Sequence, residues 1–263
     1  MESNDKIGLK DERIHYLLKK EYEKDNLILV DDLYILSLPK VKQAEKKLCL
    51  FCSELLTSNE AKEILEFYKN SVESYEISKK VFSRLASKEN CAGIIVVFKI
   101  NAISQSNLEK LNFCLICDGL ETPGNIGTIF RTAQSAGVDF LIFTNLRSKV
   151  VSDQVVRSSR GMIFYTPFII FENVEKTSEF LSKNGFRTII CEPEEGTNYK
   201  DFNYNNKIAL VVGNERYGCS KDWKNYKCEY LYIPMYGEIG SLNVAVAASI
   251  LIYEAKYQRK KCI

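Results

Sequence analysis

Three short stretches combine side chains able to bind and orient a polar ligand with glycines that let the backbone pass close to it. The first is CDGLETPGNIGTIFRTAQSAG, residues 117–137, with Asn125 and Arg131. The second is VVGNERYGCS, residues 211–220, in which Gly213 and Gly218 bracket Asn214, Glu215, Arg216 and Tyr217. The third is YIPMYGEIGSLNVAVAAS, residues 232–249, with Ile233-Pro234-Met235, two loop glycines, and Ser241, Leu242 and Asn243. A guanidinium, a carboxylate, amides and a hydroxyl can hold a polar substrate and balance developing negative charge. Other chemistries lack their parts. The single histidine, His15, lies in a charged N-terminal stretch, so neither a histidine-based triad nor a histidine metal site can be assembled. No strand is followed by GxGxxG, and no GxxxxGK[ST] is present, which excludes a Rossmann dinucleotide fingerprint and a P-loop. Two pairs have CxxC spacing, Cys49/Cys52 and Cys114/Cys117, but both sit in apolar runs, LCLFC and FCLIC. They read as buried thiols rather than zinc ligands, and no metal is expected.

Elements must bring these stretches together. From Leu111 onward, short apolar strands alternate with helices: FCLIC (113–117), a helix over 125–137, DFLIF (139–143), a helix near 153–160, and a strand near 163–171. A helix near 173–184 follows, then RTIIC (187–191), KIALVV (207–212), EYLYI (229–233) and a last helix over about 243–258. That alternation predicts an α/β domain with a parallel sheet covered on both faces. Ligands of such sheets bind beyond the carboxyl ends of the strands, and each of the three stretches begins there. Pro123-Gly124 stops the first strand and opens its helix. Along that helix Ile126, Ile129, Phe130, Ala133 and Ala136 make one apolar stripe, with Asn125, Thr128, Arg131, Thr132 and Ser135 opposite. Arg131 thus points away from the core, and spacing alone leaves it either a solvated side chain or a functional one. Ser241 is the expected N-cap of the last helix. That helix is apolar nearly all round, with Val244, Ala247, Ala248, Leu251 and Ile252 on one side and Val246, Ile250 and Tyr253 on the other. A second copy of the chain would bury the outer side, so a homodimer is expected.

Residues 1–100 read as a smaller α/β domain. Amphipathic helices are expected at 59–70 and 76–87, with a strand at 93–99. The polar stretch 101–110 reads as a linker, and 111–263 as the second domain. The 263 residues carry 46% hydrophobic side chains, enough for a core, which excludes disorder as the main state. With 36 basic and 34 acidic residues the net charge is +2, so a non-specific polyanion binder is excluded and any nucleic-acid contact must come from local clusters. No apolar run reaches the ~18–20 residues needed to cross a bilayer. The first fifteen residues lack the apolar centre of a secretory signal, and nine cysteines suit a reducing compartment, so the cytoplasm is expected and a membrane is not.

Taken together, the three stretches resemble the SpoU-type, TrmH-like RNA ribose 2′-O-methyltransferases of the SPOUT superfamily. Asn125, Gly127 and Arg131 match the family's first motif. Gly213, Glu215 and Gly218 match its second. Ile233-Pro234-Met235 and Ser241-Leu242-Asn243-Val244 match its third. The segment RSSRGMIF (157–164) is similar to the family's middle helix-to-strand turn, and the agreement in order and spacing covers about 111–258. The resemblance implies a deep C-terminal trefoil knot and S-adenosylmethionine bound by the loops after 187–191, 207–212 and 229–233. Gly213, Ile233 and Leu242 are the implied cofactor contacts, with Asn214, Cys191 and Glu192; the loop CEPEEGTNY is more acidic than the family's small-residue version. Implied catalytic residues are Arg131, Asn125, Glu215, Ser241 and Asn243, with Arg131 reaching the cofactor site of a partner subunit. For RNA phosphates the clustered Arg147, Lys149, Arg157 and Arg160 are expected. The region 1–100 resembles the family's ribosomal-protein-L30e-like RNA-binding domain, through LILVDD and VFSRLASKENCAGIIVV. The implied substrate is large-subunit, 23S ribosomal RNA. Transfer RNA as substrate, or a non-catalytic ribosome-assembly factor keeping the fold, are the alternatives.

Overall fold

Short runs of β-branched and aromatic residues set the strands, and side chains that accept from the first free N–H groups set the helix starts. A computed structural model of the protein describes residues 6–87, 92–103, 111–193, 195–238 and 240–261. It separates into two units. One comprises 1–101 together with 151–164, and the other 102–150 with 165–263.

The first unit begins with β1 (Lys6–Ile7), α1 (Glu12–Leu18), β2 (Leu27–Val30), α2 (Leu33–Ser37), α3 (Pro39–Gln43) and β3 (Lys46–Phe51). It continues through α4 (Asn59–Lys69), β4 (Ser74–Ile77), α5 (Lys79–Leu85) and β5 (Ile94–Lys99). Asp11, Asp32, Ser58 and Ser78 cap α1, α2, α4 and α5 with their side-chain oxygens. The sheet order is β1-β4-β3-β5-β2, with β5 antiparallel to both its neighbours. Ile14, Leu17, Leu50, Val81, Phe82 and Ile95 lie in its core. Residues 76–77, expected to open a helix, instead end β4; Ser78 caps the helix that follows.

The second unit starts with β6 (Phe113–Asp118), α6 (Pro123–Ala136) and β7 (Phe140–Thr144). The chain then adds α7 (Asp153–Ser158) to the first unit. There the Asp153 carboxylate accepts from Tyr22 Oη at 2.6 Å and from Leu29 N at 2.8 Å, and Val155, Val156 and Ile163 are buried. Sequence alone puts this segment in the second domain; its apolar side and Asp153 fasten it to β2 instead. Back in the second unit come β8 (Phe168–Ile170), α8 (Val174–Lys183), β9 (Arg187–Cys191), β10 (Thr197–Asn198), β11 (Ile208–Val212), β12 (Cys228–Tyr232) and α9 (Val244–Lys261). The expected strand over 163–171 is thus only three residues long, because Met162–Phe164 form a 3-10 turn. The expected linker falls mostly outside the described residues, at 104–110.

All seven strands of this sheet run parallel, in the order β10-β12-β9-β11-β6-β7-β8. Every residue of β6, β7 and β11 is buried, as expected for strands covered on both faces. The order reverses between β6 and β11, the kind of switch point that opens a crevice at strand ends. Cys114 and Cys117 sit three apart on β6 and so face opposite sides of the sheet, which prevents joint coordination of a metal. Among the described residues no group of three His, Cys, Asp or Glu could hold a metal ion. Nor, among them, is any helix long and apolar enough to cross a membrane. Helix α9 packs along α6, with Thr132 and Ser249 hydroxyls 3.2 Å apart and Lys256 Nζ donating to Gly137 O at 3.1 Å. Its inner side, including Val244, Ala248, Leu251, Ile252 and Ala255, is buried, whereas Val246, Tyr253 and Tyr257 remain exposed.

Candidate active site

Beyond the carboxyl ends of β9, β11 and β12, three loops enclose a cavity of about 340 Å³. Cys191, Glu192 and Pro193 supply one wall, Gly213 to Gly218 the second, and Ile233, Met235, Ser241 and Leu242 the third; Val244 and Ala247 of α9 close it. Of the six cofactor residues expected from sequence, all six line it: Gly213, Asn214, Ile233, Leu242, Cys191 and Glu192. Sequence reading does not assign Pro193, Met235, Val244 and Ala247 to the cofactor site, and their contribution is shape rather than chemistry.

The second loop is held from both ends. Asn214 is buried; its Nδ2 donates to Gly119 O at 2.8 Å, and its Oδ1 accepts from Arg216 N at 2.8 Å and Tyr217 N at 3.2 Å. Backbone bonds between Asn214 and Gly218 in both directions close the turn. Gly213 is required sterically: a Cβ there would lie 2.2 Å from Cys219 N and from Gly218 C. The far end is pinned by Asp118, which is buried. It accepts from Asn145 Nδ2 at 2.8 Å, Ser220 N at 2.7 Å and Trp223 Nε1 at 2.9 Å. This anchor is missed by motif reading, although an aspartate closing an otherwise apolar strand is a visible signal.

At the cavity rim a chain of side-chain bonds joins the three stretches. Asn243 Nδ2 donates to Asn125 Oδ1 at 3.1 Å, and Asn125 Nδ2 donates to Glu215 Oε1 at 2.6 Å. Asn243 has a further task, because its Oδ1 accepts from Ala245 N at 2.9 Å. Asn243, not Ser241, therefore caps α9. The helix begins at Val244, which leaves Ser241 two residues too early. Ser241 is exposed on the rim of the cavity.

Arg131 lies apart from this chain, six residues farther along α6, about 9 Å at ~1.5 Å per residue. It is exposed, does not line the cavity of its own chain, and its guanidinium has no partner among the described residues. The four basic residues expected to cluster are divided. Arg147 belongs to the second unit, bonded to Glu121 at 2.9 Å with its guanidinium 5.4 Å from the Tyr217 ring centre, and Lys149 to the same unit. Arg157 and Arg160 belong to the first, and Arg160 packs over the Tyr34 ring at 4.6 Å. Two groups in the cavity wall titrate abnormally. Burial pushes the Cys191 thiol up to about 12, so it stays protonated near neutrality, and burial likewise raises the Glu192 carboxyl.

An all-parallel sheet with this reversed order, and a cavity built from loops after β9, β11 and β12, defines a SPOUT-type α/β fold. Residues 112–253 match the SpoU rRNA Methylase family, and the chain belongs to that family. It is 33% identical over 219 residues to a TrmH-family tRNA/rRNA methyltransferase of Staphylococcus aureus, covering 80% of this chain and 88% of that one. A relative of the same description from Staphylococcus haemolyticus is 38% identical over 157 residues, but the match spans only 63% of its length and 59% of this chain. The AdoMet-bound rRNA methyltransferase of Sinorhizobium meliloti has a similar fold, with a TM-score of 0.81 at 21% identity over 94% of this chain and 93% of that one. S-adenosylmethionine is the family's cofactor, and the cavity suits it. Val212, Ile233, Leu242, Val244 and Ala247 offer apolar walls, Glu192 a carboxylate, and the volume is in the range of small-molecule sites.

Proposed function

We propose that the protein transfers a methyl group from S-adenosylmethionine to a ribose 2′-hydroxyl of structured RNA, with 23S ribosomal RNA as substrate. The observation that carries this reading is the Asn243–Asn125–Glu215 chain at the mouth of the cavity. These mutually bonded polar groups support the reading because they stand at the rim of a cavity that suits the methyl donor. Bound there, S-adenosylmethionine supplies an electrophilic methyl group. Gly213, Asn214, Ile233, Leu242, Cys191 and Glu192 hold it, mostly through the walls their backbone forms. Glu215 fixes the Asn125 amide, and Asn125 with Ser241 orients the ribose. Arg131 comes from a second copy of the chain and faces the acceptor oxygen. A guanidinium stays protonated, so its main work is to position the RNA and to stabilise charge growing on that oxygen, with only partial base character. Proximity supplies the rest.

In this reading a homodimer forms through the outer stripe of α9, where exposed Val246, half-buried Ile250 and exposed Tyr253 and Tyr257 recur at helical spacing. The same reading gives the second unit a trefoil knot, makes the first unit an L30e-like RNA-binding domain, and puts the enzyme in the cytoplasm. Arg147, Lys149, Arg157 and Arg160 contact phosphates, and unpaired nucleotides are the target.

Radiolabelled methyl transfer from S-adenosylmethionine to 23S rRNA, 16S rRNA and bulk tRNA tests the reading, followed by mapping of the labelled nucleotide. Label on 23S rRNA that makes the adjacent phosphodiester resistant to alkali is the expected result. Label on tRNA would move the substrate. Label on a base, or none on any RNA, would end the proposal.

A further inference from the structure

Glu192 differs from the other carboxylate in the cavity wall. Glu215 is committed to Asn125 at 2.6 Å. Glu192 is half-buried just beyond β9, and its only hydrogen bond from a backbone amide is a long one, from Cys219 N to Oε1 at 3.4 Å. The neutral Cys219 thiol gives it a further hydrogen bond, and no ion pair among the described residues reaches it. Beside it Gly218 leaves room, since a Cβ there would lie 3.5 Å from Oε2. The charged groups around it are Glu215 and the exposed Arg216 on the facing loop, Glu195 farther along its own loop, and Lys224 in the 3-10 turn before β12. None of them is paired with it. The Cys191 and Cys219 thiols packed nearby are neutral, since burial raises both. A carboxylate kept partly out of water without a cation of its own acts most strongly on whatever charge enters the cavity.

The charge that enters changes during the reaction. S-adenosylmethionine carries a positive sulfonium. Methyl transfer leaves the bonding electron pair on sulfur, erases that charge, and releases the hydroxyl proton to solvent, so S-adenosylhomocysteine is a neutral thioether at the same position. We infer that Glu192 makes the cavity selective for charge, favouring the cationic methyl donor over the neutral product and so easing product release. This rests on the donor occupying the cavity described above.

Calorimetric titration of the full chain with S-adenosylmethionine and with S-adenosylhomocysteine tests it near pH 8, without RNA. Glu192→Gln keeps the size and an acceptor oxygen but removes the charge. The expected result is a loss of about five- to tenfold in affinity for S-adenosylmethionine, with S-adenosylhomocysteine changed less than twofold. Equal losses for both ligands would make Glu192 an ordinary hydrogen-bond acceptor and overturn the inference, as would no change for either. Ala247→Phe, which fills the cavity from α9, separates the two readings. If it leaves binding intact the donor sits elsewhere, and both readings fall. If it abolishes binding while Glu192→Gln leaves the ratio of the two affinities unaltered, only the inference falls. Should Glu192→Gln not fold, the same two titrations of Glu192→Ala answer. Loss of the carboxylate must then weaken S-adenosylmethionine relative to S-adenosylhomocysteine, and a constant ratio would refute the idea.

Discussion

Around the cavity the polar groups that shape the loops are engaged: Asn214 by four backbone partners, Asp118 by three donors, Asn125 by Glu215 and Asn243. On the outward side of the same α6 helix, Arg131 has no partner among the described residues, and the neighbouring α9 leaves Tyr253 and Tyr257 more than half exposed. One region is finished by its own chain, and the other is built as though something else completes it. Rigid, self-satisfied loops suit a small ligand whose shape never varies. An unpaired cation beside an apolar stripe suits a surface that gains its function on assembly with a second subunit and an RNA.

Breaking the open side should cost the most activity. Arg131→Ala is expected to lower kcat for RNA methylation by about a thousandfold, with S-adenosylmethionine affinity by calorimetry unchanged within twofold. Mixing Arg131→Ala with Ala247→Phe sharpens this. If Arg131 serves the partner's cavity, mixed dimers regain part of the activity that neither variant has alone. Absence of any recovery would return Arg131 to its own chain. Next in size, Glu215→Ala frees the Asn125 amide and should lower kcat about a hundredfold. A change confined to S-adenosylmethionine affinity would instead make Glu215 a cofactor ligand. Charge in the stripe, Tyr253→Glu with Tyr257→Glu, should convert dimers to monomers in sedimentation and abolish transfer while sparing cofactor binding. The finished side should respond in stability. Gly213→Ala drives a Cβ into the Gly218–Cys219 peptide and is expected to cost about 3 kcal/mol. Asp118→Asn sets an amide N–H against groups that are themselves donors and should cost about 2 kcal/mol. Both are measured by urea unfolding followed through Trp223, the only tryptophan in the chain.

How far the sequence discloses this arrangement follows from its physics. The parallel sheet is legible because fully buried strands such as FCLIC and IALVV are apolar throughout, and the inward stripe of α6 because its spacing is helical. The cavity-lining residues are legible as a set because each of their loops ends a strand and carries a glycine or proline. The cap of α9 is not. Ser241 and Asn243 are both good caps by type, and the choice depends on where Asn125 lies across the fold. The division of Arg147 and Lys149 from Arg157 and Arg160 between the two units is hidden for a related reason. Nearness in sequence cannot reveal that Asp153 bonds to Tyr22 and Leu29, more than a hundred residues earlier.

That last attachment has a consequence for biosynthesis. The first unit is not complete when its first hundred residues have left the ribosome, because Val155, Val156 and Ile163 of its interior come later. β6, α6 and β7 emerge before it can close. The usual order, in which a leading domain folds before the next begins, is closed to this chain. A nascent polypeptide stopped at residue 101 would expose an unfilled seat on β2, and synthesis must run to residue 164 before that seat is taken.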